Sequence, residues 1–412
     1  MGSMAVLNIG SKSSYEFMSY KNTFGDLLML FTMDDLQIKE VDEDGEIYTR
    51  RYFSTSVKKA KQCLDILGFT TQKAQETFEK SKQEKLDFLE EYSVEDELIN
   101  YKDQYTFENW TDAVHKYARI LSNDIFNSKC EYTNLEKSRS EQKNISEKEV
   151  CDSLPYGDSS YWGISHEYAS WEIFRVILEA FDNEDEVIVD YTDLYDGGWC
   201  DEKPEEELFD VPKTIVLTEG KYDVEVIKES LELLYPYMSK FYSFMDFSTF
   251  NVQGSTNFLT HYLKAFISAR IENKIIALYD NDSAGLAEIE SLKTIKIPQN
   301  VRVMHLPDID IAKHYPTKGP TGDEDANING RACSIELYLG IDILQEDKEF
   351  MPVKWTGYID KVQSYQGEIF DKQMVQKKFN EKVKRAKKEG ISDLDNWKEM
   401  IRLLNSIFEA FM

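Results

Sequence analysis

Thr214-Ile215-Val216-Leu217-Thr218-Glu219-Gly220-Lys221-Tyr222-Asp223-Val224 is the stretch that decides the fold. A β-branched and apolar run ends at Glu219-Gly220, and Val224, Ile227, Leu231 and Leu234 follow at helical spacing. A run with no polar alternation fits a strand buried on both faces, and a strand that passes at once into a helix opens a βαβ unit. The pattern repeats downstream. It predicts a second strand at 248–252 and a helix opening at Gly254-Ser255 with Phe258, Tyr262 and Phe266. A third strand follows at 274–279, then a helix with Leu286, Ile289 and Leu292, then a fourth strand at 301–306. The fold class is α/β, a mainly parallel sheet joined by right-handed crossovers and covered by helices on both faces.

Upstream of this unit the chain reads as mostly helical. Helices are expected at 57–67, stopping at Gly68, and at 80–92, 110–121 and 168–181, with a polar, exposed stretch at 138–149 and strand-like pieces at 46–53 and 187–191. Residues 179–210 hold 14 acidic groups and the single base Lys203, the pattern of a solvated connector, and Pro212 marks the expected boundary. Downstream, the chain looks helical again from about Lys354. Between Lys372 and Gly390 lie eight basic and two acidic residues, including Lys377, Lys378, Lys382, Lys384, Arg385, Lys387 and Lys388. That patch is either a solvated helix face or a contact for phosphates, whose condensed counterions such cations release. The expected domains are 1–210, 211–345 and 346–412.

Ligands of open α/β sheets sit outside the carboxyl ends of the strands. Glu219 ends the first strand, Asp280 and Asp282 end the third, and Asp223 lies one helical turn beyond Glu219. Carboxylates gathered at one edge repel unless a cation intervenes. Oxygen donors without histidine or cysteine favour Mg²⁺ or Mn²⁺ over zinc.

The whole chain constrains what such a site can serve. Its 412 residues carry a formal charge of −28, so bulk charge repels polyanions and excludes a protein that coats nucleic acid. Action on nucleic acid then requires a local basic surface, a cation or a delivering partner. Five cysteines without a C-x-x-C pair exclude a disulfide framework and a zinc ribbon, and fit a reducing cytoplasm. No apolar run is long enough to span a membrane, and no leader peptide is visible. Met1-Gly2-Ser3-Met4 reads as an expression scar.

Thr218-Glu219-Gly220-Lys221-Tyr222-Asp223-Val224 and Asp280-Asn281-Asp282-Ser283-Ala284-Gly285 resemble the two signature motifs of Toprim domains, a Rossmann-like fold shared by primases, topoisomerases, maturases and nucleases. The resemblance covers roughly 212–340. It implies that Glu219 acts as general acid/base or metal ligand and that Asp280 and Asp282 hold Mg²⁺. It further implies that Glu336, in Ser334-Ile335-Glu336-Leu337 at an expected helix start, binds a second cation, and that Lys372 stabilises charge on the phosphate. Asp308 and Asp310 are further ligand candidates, and Lys313 and His314 candidate phosphate contacts.

The first 200 residues are similar to the helical N-terminal domain of HEPN/Toprim-associated proteins, on Ser19-Tyr20-Lys21-Asn22, on Ala60 to Gly68, and on Tyr191-Thr192-Asp193-Leu194 with Gly197-Gly198-Trp199. Such proteins belong to bacterial defence against phage. The Arg-to-His spacing of an active HEPN ribonuclease is missing, so the helical domain is not expected to cut RNA itself.

These readings lead to a cytoplasmic Mg²⁺- or Mn²⁺-dependent endonuclease with catalytic Glu219, Asp280, Asp282 and Lys372, and metal ligands Glu219, Asp223, Asp280, Asp282 and Glu336. Its expected partners are nucleic acid, DNA in preference to RNA, a defence-system protein and a second copy of the chain as homodimer, with no membrane. The alternatives are a non-catalytic metal or nucleotide sensor that signals to a partner, and a primase-like nucleotidyl transferase.

Overall fold

The computed structural model describes residues 3–9, 17–19, 21–43, 45–92, 95–124, 144–153, 170–208, 212–249, 252–319 and 322–412. Tyr20, residues 138–143 and 168–169, residues 209–211 just before the expected boundary at Pro212, and Phe250 and Asn251 lie outside them. The chain divides into two compact units, Met1–Asp210 and Val211–Phe411. Among the described residues no helix is long and apolar enough to cross a membrane.

The first unit pairs its helices with a sheet. Strands β1 (Ala5–Ile9), β2 (Phe17–Ser19), β3 (Leu36–Glu43), β4 (Glu46–Ser56) and β5 (Glu186–Asp190) form one antiparallel sheet in the order β2-β1-β5-β4-β3. The two expected strand pieces are thus neighbours, with Phe53 opposite Val189. The first three strands were not legible as helix breaks. β3 and β4 pair as a hairpin, and between them Gly45 has φ of +87° and its amide donates to Asp42 Oδ1 at 3.0 Å. The Asp-Gly pair in the sequence was the available signal. Phe24, Phe31, Phe53 and Tyr191 close the core over this sheet with ring centroids 5.5–5.9 Å apart.

Helices of this unit are α1 (Lys21–Leu27), α2 (Val57–Leu67), α3 (Thr71–Glu91), α4 (Glu95–Gln104), α5 (Phe107–Asp124), α6 (Ile145–Ser153), α7 (Ser170–Ile177) and α8 (Thr192–Asp196). α2 begins where the Ser56 hydroxyl accepts from the Lys59 amide and ends at Gly68 with φ of +97°, as its caps dictate. It packs on β4 and β5, while α3, α5, α6 and α7 pack on one another.

The second unit is built on the expected parallel sheet. β6 (Thr214–Leu217), β7 (Tyr242–Phe244), β8 (Ile275–Tyr279) and β10 (Val301–His305) lie in the order β10-β8-β6-β7, all parallel. Right-handed crossovers in this order put α9 (Lys221–Leu234) on one face and α10 (Thr256–Ser268) and α11 (Ser283–Leu292) on the other. Leu217, Ile275, Ala277 and Tyr279 of the sheet pack with Leu259 and Leu263 of α10 in one buried layer. The second strand falls at Tyr242–Phe244 rather than 248–252. There the Asp246 carboxylate accepts from the Ser248 and Thr249 amides at 2.9 and 2.8 Å, and this local capping turns the chain.

Two further corrections concern the chain beyond this sheet. The expected helix start at 329–338 is instead a short strand, β13 (Ala332–Cys333), paired with β9 (Asn281–Asp282), then a 3₁₀ turn at Ile335–Tyr338. The tail from Lys354 is not helical at first. β11 (Tyr315–Gly319), β12 (Gly322–Ala326), β16 (Val353–Ile359) and β17 (Ser364–Ile369) form a second sheet, with the small hairpin β14 (Gln345–Glu346) and β15 (Glu349–Phe350) before it. Val353, Trp355, Tyr358 and Ile359 give β16 its strand preference, which the lysines farther along obscure. Helices resume at α13 (Lys372–Glu389) and α14 (Lys398–Phe408), after the short α12 (Ile341–Leu344). Both α13 and α14 pack on α9, so residues 346–411 belong to the same compact unit as the parallel sheet.

Candidate active site

Parallel register assembles the first half of the site. Leu217 sits beside Ala277, so two residues farther along the chain leaves β6 and β8 with Glu219 next to the Tyr279–Asp280 peptide. Glu219 Oε1 accepts from the Asp280 amide at 3.0 Å, although the residues are 61 apart in sequence. Its Oε2 accepts from the Thr256 hydroxyl at 2.6 Å. Close approach here depends on Gly254, where a Cβ would lie 2.7 Å from the Glu219 carbonyl oxygen and 3.0 Å from Gly220 Cα. At Gly285 a Cβ would lie 2.3 Å from the Asp280 carbonyl oxygen, so glycine lets α11 start against the loop that carries Asp280.

Asp282 caps that helix. Its Oδ1 accepts from the Gly285 amide at 2.7 Å and its Oδ2 from the Gln366 side chain of β17 at 2.6 Å. Gln366 in turn accepts from the Ala284 amide at 3.0 Å. Asp223, in the first turn of α9, accepts from the Gly220 amide at 2.8 Å and holds the turn after β6. Glu336 is fully buried on its 3₁₀ turn. It accepts from Ser334 at 2.7 Å and Gln376 at 2.9 Å, and pairs with the Lys372 ammonium at 3.1 Å.

Electrostatics joins these residues into one cluster. Burial pushes Glu219 up to about 7, against its hydrogen bonds from Thr256 and Asp280; Asp282 raises it further and Lys372 opposes. Burial, Glu219 and Glu336 push Asp223 up to about 7. Asp280 is raised by burial and then by Glu219, Asp223, Asp282 and Glu336. Lys372 is depressed by its burial but raised on balance by Glu336, Asp280 and Asp223. Thus the structure brings together Glu219, Asp223, Asp280, Asp282, Glu336 and Lys372.

It leaves out the other candidates. Asp308 accepts from the Asn281 side chain at 2.8 Å. Asp310 pairs with Lys313 at 2.8 Å, which with Arg402 holds its carboxyl below the usual range. In the basic helix, Lys382 is buried and donates to the Leu339 and Asn396 carbonyls and Asp342 at 2.7–2.9 Å, a structural staple unable to meet a phosphate. Lys387 pairs with Glu229. Lys377, Lys384, Arg385 and Lys388 remain exposed.

Thr256, Ser334, Gln366 and Gln376 support the cluster without having been singled out in the sequence. Thr256 had a signal, since it opens a helix after a strand of the same parallel sheet. The glutamines had none, because 84 residues separate Gln366 from Asp282 and 40 separate Gln376 from Glu336.

The donors fit a hard divalent cation in their chemistry. All are carboxylate oxygens, five acids face one ammonium, and the Tyr222 hydroxyl beside Glu336 is buried without a hydrogen-bond partner. Among the described residues, however, no three His, Cys, Asp or Glu side chains are already arranged around a common point to hold an ion. Residues 1–213 match the family model described as HEPN/Toprim N-terminal domain 1. No curated protein and no solved structure matches the chain.

Proposed function

Since the chain belongs to the HEPN/Toprim N-terminal domain 1 family, we propose that its second unit is a Toprim nuclease that hydrolyses phosphodiester bonds with Mg²⁺ or Mn²⁺, as effector of a bacterial anti-phage system. The observation that carries this reading is the Glu219 carboxylate held against the Asp280 amide at 3.0 Å, in a group of five acids balanced by one lysine. Such an excess of negative charge at a strand-end edge costs stability and serves no packing purpose.

In this reading Glu219, Asp223, Asp280, Asp282 and Glu336 hold the cation or cations. A bound Mg²⁺ supplies Lewis acidity toward a phosphoryl oxygen and lowers the pKa of a coordinated water. Glu219, held against the Asp280 amide, would serve either as a ligand of that cation or, where it is left free of it, as the group that takes a proton from the attacking water or returns one to the leaving oxygen. Lys372 places its ammonium where charge develops on the phosphate. Thr256 and Gln366 fix the orientations of Glu219 and Asp282. DNA is the preferred substrate, and the exposed lysines of α13 offset the acidic surface.

The test uses purified full-length protein with plasmid DNA and with RNA, with Mg²⁺ or Mn²⁺. Glu219→Gln should lower cleavage by roughly 10²- to 10⁴-fold, and Asp280→Asn should abolish cleavage at any concentration of added metal. Cleavage that survives both changes removes the assignment. A second reading draws on the acidic surface of a chain of net charge −28, which does not attract DNA unaided: a sensor that binds metal or nucleotide and signals to a partner. It predicts Mg²⁺ binding by calorimetry with no cleavage of any nucleic acid.

A further inference from the structure

The hairpin that delivers Gln366 to Asp282 also carries three aromatic rings on its surface. Tyr358 and Tyr365 are cross-strand partners with ring centroids 5.1 Å apart, and Trp355 lies 6.1 Å from Tyr365. Trp355 and Tyr358 are three residues apart, a spacing that sends side chains to opposite faces of a regular strand. The register shift between Trp355 and Gly357 inserts one extra residue, and the resulting bulge turns both rings against Tyr365. Gly357 leaves open space beside them. Tyr358 and Tyr365 are 47% and 58% exposed, so these rings are not core. The strand that carries Tyr365, through its backbone and the neighbouring Gln366, is also tied to the carboxylates. The Ser283 hydroxyl, next to Asp282, donates to the Tyr365 carbonyl at 2.8 Å, and Gln366 donates to Asp282 itself.

We propose that Trp355, Tyr358 and Tyr365 are a stacking platform for unpaired bases, which selects single-stranded nucleic acid and leads its adjoining phosphate to the carboxylate cluster. The proposal rests on the nuclease reading of that cluster and names its substrate class. Two physical arguments favour this occupant. A chain of net charge −28 gains little from phosphate attraction alone, whereas stacking on a ring needs no cationic surface. In a duplex the base faces are already stacked on one another, so rings at a surface meet them only in a single strand or an opened segment.

The experiment measures binding of a labelled oligothymidine of about fifteen nucleotides, and of a duplex of the same length, to full-length protein in chelator, by fluorescence anisotropy at low and high salt. The single strand should bind about tenfold more tightly than the duplex. Tyr365→Ala and Tyr358→Ala should each weaken it by roughly 5- to 150-fold, and Tyr365→Phe should retain binding. The loss should persist at high salt, because stacking releases no counterions. Unchanged thermal melting of the variants checks that they fold.

Equal affinity for single strand and duplex, alanine variants that bind as wild type, or no oligonucleotide binding at all overturns the platform. Sedimentation supplies the rival outcome: variants that dissociate a dimer yet keep oligonucleotide affinity make the rings an interface between copies, and the proposal fails. Glu219-dependent cleavage that ignores the tyrosines sinks the platform and leaves the site. Tyrosine-dependent binding without any cleavage sinks the nuclease reading and leaves the platform.

Discussion

Two partly buried charge clusters, one in each unit, are built on opposite terms. In the first unit Arg175 is gripped by both Asp65 oxygens at 2.8 and 3.2 Å and by Glu179, which also takes Lys61 at 2.9 Å. Two cations meet two anions. Burial works to raise Glu179, but Lys61 and Arg175 hold it below the usual range. In the second unit five carboxylates meet one ammonium, and burial with mutual repulsion drives Glu219 and Asp223 up to about 7. A network that only fastens helices closes its charge balance. One left open is strained until something positive arrives, and that imbalance separates a site from a staple.

The sharpest way to break the comparison is to unbalance the closed cluster. Arg175 is buried, and Arg175→Ala strands Asp65 and Glu179 without their shared partner. Loss of one member of a buried pair costs about 3–5 kcal/mol. Denaturant unfolding should show a loss of that size, with the cleavage proposed for the second unit unchanged in the remaining folded protein. A loss under about 1 kcal/mol would mean that Arg175 behaves as a surface ion pair.

How much of this was legible beforehand divides along the same line. Val57–Leu67 with its Gly68 stop and the β6 and β8 strands could be read because caps and apolar runs are local signals. Glu219, Asp280 and Asp282 could be read because strand ends in a parallel sheet converge by register. The sheet of the first unit could not, since β1 finds its partner β5 some 180 residues away and neither strand announces the other. Nor could Lys382 be told from Lys384. Position in a lysine-rich run does not show which ammonium turns inward to the Leu339 and Asn396 carbonyls. Sequence shows charge, while burial and partners decide what the charge does.

Relieving the open cluster should act in the opposite direction to Arg175→Ala. Asp280 is raised by burial and by all four neighbouring acids, so Asp280→Asn removes repulsion at little change in shape. In chelator the variant should melt higher by a few degrees, the equivalent of about 1 kcal/mol for a unit of this size, while losing the activity proposed for the site. A variant that melts lower in the same buffer would show that the carboxylate is already neutralised by the fold.

The smallest effect, and the one that tests the imbalance without mutation, is the response to pH. Glu219 and Asp223 have folded-state values near 7, above the ordinary carboxylate range that they regain on unfolding. Between those limits the folded protein holds protons that the unfolded chain releases, so stability falls as pH rises. The stabilisation is full below the ordinary carboxylate values and is lost on passing through about 7. In chelator the second unit should therefore melt higher at pH 6 than at pH 8. A cation binding the same oxygens competes with those protons, so Mg²⁺ should raise the melting temperature more at pH 8 than at pH 6. A melting temperature in chelator that rises from pH 6 to pH 8 would place these carboxylates with Glu179, as members of a balanced network rather than an open one.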